Sequence, residues 1–274
     1  MIIQHNISAL NTYNNLGGNQ KALAKNLEKL SSGYRINRAG DDAAGLAISE
    51  QMRSQIRGIN QAVSNAEDGI GLIKTTEGAL TEIHSMLQRM VTLSQQAANG
   101  TYNTTAITNI KSEVTQLQTE IDRIAKSTNF NGKYMMDKDG TDLQLQIGPT
   151  ADETLKMTSV SMLVADLGVS DTDLTFSDTD LTANTANIEK INTAIDDVSS
   201  YRAQLGAYQN RLEHTINNLT VTSENLTEAE SRIRDTDMAD EITDFTKNNI
   251  LLQASQSMLA QSNAAPQSIL GLLQ

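Results

Sequence analysis

From Met52 onward, apolar residues recur at alternating intervals of three and four: Ile56, Ile59, Val63, Ala66, Ile70, Ile73, Leu80, Leu87 and Val91, with Glu77, His84 and Ser94 interrupting the line. This is the spacing of one face of a long helix. Its start is expected after Asp41 or Asp42, whose carboxylate can accept from an unpaired first-turn N–H, and its end at Asn99-Gly100, a pair suited to a left-handed cap. Gly69, Gly71 and Gly78 fall inside it. Each costs about 1 kcal/mol relative to Ala, so they mark either local looseness or close approach of a neighbour. A second periodic segment, Ile107, Ile110, Val114, Leu117, Ile121 and Ile124, follows the candidate N-caps Thr104 and Thr105. The third is the most regular: Ile191, Val198, Leu205, Leu212, Leu219, Leu226 and Ile233 repeat every seven residues, while the adjacent line mixes Ile188, Ile195 and Ile216 with Arg202, Gln209, Ser223 and Glu230. At 1.5 Å per residue the first and third segments are each about 70 Å long and the middle one about 36 Å.

Between the second and third segments the period changes. LQLQI at 143–147 alternates with period two, GPTAD turns, and Leu155 and Met157 alternate again, the pattern of a β-hairpin. Residues 161–187 are polar and carry SDTDLT twice, which reads as a solvated loop. The predicted fold is mainly α: an elongated antiparallel helical bundle or coiled coil with one small β-hairpin. Its core is expected from Ile56, Ile59, Val63, Ile70 and Ile73 on one long helix and Ile191, Val198, Leu205, Leu212, Leu219 and Leu226 on the other.

The two ends depart from the rule that termini are polar and frayed. MII opens the chain and SILGLLQ closes it. Ile3, Ile7, Leu10, Leu23, Leu27 and Leu30 on the N-terminal side, and Ile242, Phe245, Ile250, Leu252, Met258, Leu259, Ile269, Leu270, Leu272 and Leu273 on the C-terminal side, give two thin amphipathic stretches. Ordering a residue costs about 1–2 kcal/mol of backbone entropy, so these stretches are expected to hold a helix only when neighbours cover them.

Composition narrows the function. Only 3% of the 274 residues are aromatic and Trp is absent, which argues against a thick core; the absence of Cys excludes disulfides, thiolate metal sites and thiol nucleophiles. Asp and Glu number 33 against 21 Lys and Arg, for a net charge of −12, so nucleic acid is not an expected partner. No apolar run reaches the roughly 18 residues of a membrane span, and the first residues lack the basic and apolar regions of a cleavable secretory signal. Membrane insertion is not expected. Asp171, Asp173, Asp178 and Asp180, like DKDGTD at 137–142, lack the Gly and terminal Glu of a calcium loop. His5, His84 and His214 lie far apart, and no phosphate-binding, dinucleotide-binding or nucleophile-elbow motif occurs. No catalytic residue, cofactor or metal is assigned, and an enzyme is not expected.

LSSGYRINRAGDDAAGLAISEQMRSQIRGINQA, at 30–62, closely resembles the N-terminal signature of bacterial flagellin. IDRIAKSTNFNGKYMM (121–136) is similar to that family's helix-to-hairpin junction, SRIRDTDMADE (231–241) to its C-terminal spoke, and LLQASQSMLAQSNAAPQSILGLLQ to its terminal helix and tail. The resemblance covers about residues 1–160 and 188–274. It implies an extracellular filament subunit for swimming motility, with a terminal assembly domain from 1–40 plus 235–274 and a rod domain from 41–234. Its implied partners are further copies of itself, the flagellar type III export apparatus, a flagellin chaperone, and hook-associated and cap proteins. A flagellin-sensing Toll-like receptor of a host is implied too, engaging LQRMVTLSQQAAN (87–99), with Arg89, Leu93 and Glu113 at the matching contact positions. Two alternatives stand beside this reading: a hook-filament junction protein of the same superfamily, and a secreted membrane-active helical protein of the type III translocator kind.

Overall fold

The computed structural model describes residues 6–137, 142–177 and 181–272, with Leu181 and residues 266–272 described by backbone alone. The chain is mainly α. Its elements run α1 (Ile7–Ser32), α2 (Ala43–Ala97), α3 (Thr104–Ser127), β1 (Leu143–Gln146), β2 (Thr154–Met157), α4 (Leu181–Arg234) and α5 (Met238–Leu272). Two compact units form, Met1–Ile56 with Glu224–Gln274, and Arg57–Ser223.

In the unit Arg57–Ser223, α2 buries Ile59, Ala62, Ala66, Gly69, Ile73, Thr76, Leu80, Ile83, Leu87, Met90, Ser94 and Ala97, an unbroken alternation of three and four. This corrects the predicted seam in one respect. The line through Ile59, Ile73, Leu80 and Leu87 is buried as expected, but its companion runs one residue earlier than Val63, Ile70 and Val91, which are half-buried. The true companion holds Ala62, Gly69 and Thr76, small residues that apolar counting passes over. The same shift occurs on α4. Ile191, Val198, Leu205, Leu212 and Leu219 are buried, and the second line is Asn187, Ala194 and Tyr201 in place of Ile188 and Ile195. On α3, Gln118 and Ala125 are buried where Leu117 and Ile124 are only partly so. Ile56 and Leu226, expected in this core, are half-buried and belong to the other unit.

Small seam residues let neighbours close in. A Cβ on Gly69 would stand 2.5 Å from Leu145 Cδ1 and 3.3 Å from Leu212 Cδ1, whereas one on Gly78 would meet nothing within 4 Å. Leu145 belongs to the hairpin, whose antiparallel register pairs Leu143 with Met157 and Leu145 with Leu155. Upstream, Asn131 and Gly132 take φ of 50° and 77°, and Phe130 and Lys133 exchange two backbone hydrogen bonds of 3.0 Å around them. That is the mirror-image turn for which Asn-Gly is suited.

Two expected boundaries move. The cap of α3 is Asn103, whose side chain accepts from the Ala106 N–H at 2.9 Å, one residue before the predicted Thr104. The stretch expected as a solvated loop is largely packed: Met162, Val164, Leu167, Val169 and Leu174 are all buried, and α4 starts at Leu181. Side-chain amides and carboxylates satisfy its backbone, with Gln118 donating to Val169 O at 2.6 Å, the Val164 N–H donating to Asp122 at 2.9 Å, and Asn187 donating to Thr175 O at 2.8 Å. The two calcium-like stretches, through Asp178 and Asp180 and through 138–141, lie partly outside the described residues. Tyr201 is 2% exposed and donates to Met135 O at 3.1 Å; burial pushes its phenol up to about 12.

Candidate assembly surface

In the unit Met1–Ile56 with Glu224–Gln274, α1 and α5 lie antiparallel, joined at one end by a backbone clasp. Gly33 leaves α1 with φ 74°, the left-handed cap that Gly adopts without strain. Tyr34 then forms an antiparallel bridge with Asp235, the Arg35 N–H donates to Arg234 O at 2.7 Å, and the Thr236 N–H donates to Gly33 O at 3.1 Å. The Arg234 guanidinium lies 4.7 Å from the Tyr34 ring centre and 2.7 Å from Glu50, whose carboxyl it holds below its usual range. Asp42 caps α2 by accepting from the Gly45 N–H at 2.9 Å. Asp41 pairs with Lys25 at 2.8 Å and accepts the Arg38 and Asn37 N–H groups, which together hold its carboxyl at about 2. These contacts give the 30–62 signature its physical content.

Beyond the clasp, each helix turns two heptad lines toward the other, one apolar and one polar. On α1 these are Ala9, Leu16, Leu23 and Leu30 beside Thr12, Asn19 and Asn26; on α5 they are Phe245, Leu252 and Leu259 beside Glu241, Asn248, Ser255 and Ser262. All are buried or half-buried. The polar line of α5 bonds to α1. Asn6 donates to Ser262 O at 2.9 Å, the Ser8 and Ser262 hydroxyls meet at 2.7 Å, and Asn19 donates to Ser255 Oγ at 2.9 Å. With its amide oriented to satisfy both ends, buried Asn26 donates to Glu241 at 3.2 Å and accepts from Asn248 and the Phe245 N–H at 3.1 Å. Glu241 also takes Lys29 at 3.1 Å.

Because the inward lines are half polar, large apolar side chains are left facing outward. Ile7 is 60% exposed, Leu10 59%, Leu27 58%, Ile242 51%, Ile250 61% and Met258 61%. Of the other residues singled out from sequence, Leu23, Leu30, Phe245, Leu252 and Leu259 face the partner helix. Ile3 and Leu273 lie outside the described residues, as do the side chains of Ile269, Leu270 and Leu272 on the last turns of α5. Sequence reading missed exposed Tyr13, Leu251 and Met238; Tyr13 and Leu251 continue the outward lines of Leu27 and Met258 at multiples of seven, the signal that could have found them, while Met238 is the first residue of α5 on the line of Phe245.

The stretch 87–99 divides between surface and core. Arg89 donates to Glu113 at 2.9 Å through Nε, and both side chains are about half exposed. Leu93 is 1% exposed and part of the core, so of the three residues expected on one contact face, Arg89, Leu93 and Glu113, it is the one the structure withdraws from the surface. A helix places residues four apart on neighbouring positions, yet a shift of one turn here crosses from solvent into the seam.

Among the described residues, no helix is long and apolar enough to cross a membrane. The bacterial flagellin N-terminal helical region matches residues 3–141, and the C-terminal helical region matches 188–273. Flagellin of Bacillus subtilis is 51% identical over 305 aligned positions covering both chains in full. Among solved structures, Bacillus cereus flagellin is 33% identical, covering 61% of this chain and 94% of its own, with a TM-score of 0.51. A putative flagellar hook-associated protein from Vibrio parahaemolyticus shares the fold at 11% identity and TM-score 0.60, covering 71% of this chain and all of its own. Matched over both terminal regions and along its full length, the chain belongs to the bacterial flagellins, the structural subunits of the flagellar filament.

Proposed function

We propose that the paired helices α1 and α5 are the polymerising part of this subunit, and that the unit Arg57–Ser223 is the rod that carries them. The observation that carries this reading is the outward placement of Ile7, Leu10, Leu27, Ile242, Ile250 and Met258, each more than half exposed. Large apolar side chains exposed in this number along one helix pair point to an interaction site, and a surface repeated on every copy suits a homopolymer. Ile3, Ile269, Leu270, Leu272 and Leu273 extend it by sequence. Ile250→Asp places a charge on this surface without touching the inward lines. Helix content by circular dichroism is expected to stay unchanged while extension of wild-type seeds is lost; extension at the wild-type rate would refute the assignment.

The exposed faces need cover before assembly, which suits passage through the flagellar export apparatus under a flagellin chaperone to a filament outside the cell, where hook-associated and cap proteins meet its ends. For a flagellin-sensing Toll-like receptor, the solvent-accessible Arg89–Glu113 pair is the proposed contact, since Arg presents a planar fork to a partner carboxylate. Surface plasmon resonance of wild type and Arg89→Ala against the receptor ectodomain tests it: weaker binding of the variant is expected, and binding indifferent to Arg89 rejects the contact.

A further inference from the structure

The methionines of this chain fall into two groups by exposure. Ten occur in the sequence. Met90, Met135, Met136, Met157 and Met162, all in the unit Arg57–Ser223, are at most 3% exposed and belong to its core. Met52 and Met86 are half-buried, and Met1 lies outside the described residues. Among the described residues only Met238 and Met258, both on α5, stand in the open, at 44% and 61%.

These two differ in what surrounds them. Met238 is the first residue of α5, close in sequence to Asp235 of the clasp and on the line of half-buried Phe245. Met258 follows exposed Leu251 by seven residues, which puts both on one side of the helix, and lies in a stretch, 248–274, that has no Asp, Glu, Lys or Arg. Its thioether therefore belongs to the outward surface to which polymerisation is assigned above. The inward packing of α5, through Phe245, Leu252 and Leu259, does not use it.

Unlike the Ile and Leu side chains around it, a thioether can be made polar by a two-electron oxidant. We propose that Met258 is a sulfoxidation site at which a peroxide converts the free subunit from an assembling to a non-assembling form without unfolding it. The sulfur lone pair attacks one oxygen of hydrogen peroxide; the S–O bond forms as the O–O bond breaks, and the proton on the transferred oxygen passes to the departing hydroxide. Sulfur loses two electrons, the peroxide is reduced to water, and the product is a sulfoxide. Its oxygen is a strong acceptor that water satisfies in the free subunit and that must be desolvated when the outward surface is covered. Packing shields the five core methionines, so a dose that oxidises Met258 leaves the unit Arg57–Ser223 folded. A subunit already in a filament has the surface covered and is spared. Methionine sulfoxide reductases reverse the change.

The inference rests on the polymerising role of α1 and α5, and the untreated protein separates the two. Full-length subunit is exposed to hydrogen peroxide, the oxygen gained at each methionine is read by peptide mass spectrometry, and the product is tested for helix by circular dichroism and for extension of wild-type seeds. Met238 and Met258 should gain oxygen before the five core methionines, with helix unchanged and extension at least about 5-fold slower, the low end for burying an unpaired polar group. Met258→Leu should keep its own untreated rate after the same dose, although Met1 and Met238 are still present; Met238→Leu should lose rate as wild type does. Methionine sulfoxide reductases with a dithiol should restore the oxidised wild type, and Met258→Gln should be slow without any peroxide. Met258 oxidised no faster than Met157, oxidised wild type extending like untreated, or Met258→Leu slowed as much as wild type overturns the proposal. Failure of untreated wild type to extend seeds would instead strike at the polymerising role itself.

Discussion

Two helical packings in this molecule use the same spacing with opposite chemistry. In the unit Arg57–Ser223, α2 turns Ile73, Leu80, Ile83 and Leu87 inward and α4 turns Ile191, Val198, Leu205 and Leu212 inward, all with essentially no exposure. In the α1–α5 pair, alternate inward positions are Asn, Ser, Thr or Glu, and comparable apolar residues point out. A fully buried Leu or Ile contributes about 1.5–3 kcal/mol, whereas an intramolecular hydrogen bond contributes about 0.5–1.5 kcal/mol net. The first packing completes itself; the second is left with stabilisation to gain from other copies.

Substitutions at matched positions separate the two. Leu212→Ala leaves a cavity in the complete core and should cost about 2–5 kcal/mol in a thermal melt, while Leu27→Ala, on the outward face, should change monomer stability by less than about 0.5 kcal/mol and still slow seeded extension. Equal losses would abolish the distinction. Asn26→Ala should cost about 1–3 kcal/mol in the helix pair by stranding Glu241 and Asn248, read as faster amide exchange along Leu23 to Leu30 with Leu205 to Leu212 unaffected; uniform acceleration would mean that the two packings unfold together. Gly78→Ala, with open space around it, should stabilise by up to about 1 kcal/mol. Gly69→Ala should fall short of that gain because Leu145 must move aside, and identical melts would mean that the approach at Gly69 is immaterial. The smallest effect is expected at Asp41. Its carboxyl is depressed to about 2 from 3.8, so its contribution is present above about pH 4 and fades as pH falls through 2. Asp41→Asn should flatten the acid limb of the pH–stability curve for the helix pair; an unchanged limb would remove Asp41 from it.

Much of this was legible in the sequence. The seven-residue line from Ile191 to Leu219, the helix opening after Asp42 and the period-two hairpin all follow from the apolar pattern, because large aliphatic side chains announce a seam. The companion lines did not. Ala62, Gly69 and Thr76 on α2, and Ala194 on α4, are buried although small or polar, so a count of apolar residues slides one position to Val63, Ile70 and Ile195. The packed stretch at 161–177 was hidden for a related reason: isolated apolar residues such as Val164, Leu167 and Leu174 have no period to betray them, and Asn184, Asn187 and Gln118 are core residues by virtue of bonds that only the fold reveals. On the terminal helices the apolar residues were evident, but which of them face inward depends on the polar lines between them.

The backbone clasp at Tyr34 and Asp235 has a consequence in time. Asn6 and Ser262 are 256 residues apart in the chain, and closing a loop of that length directly costs about 5 kcal/mol of chain entropy, more than one hydrogen bond returns. Once Tyr34 meets Asp235, the Lys29–Glu241, Asn26–Asn248, Asn19–Ser255 and Asn6–Ser262 contacts follow in order, each needing only a few more residues on either side. The pair is therefore expected to zip from clasp to tip and to fray in the reverse direction. Since α1 precedes α5 by about 200 residues, it has to wait for that much chain to be synthesised before its partner exists.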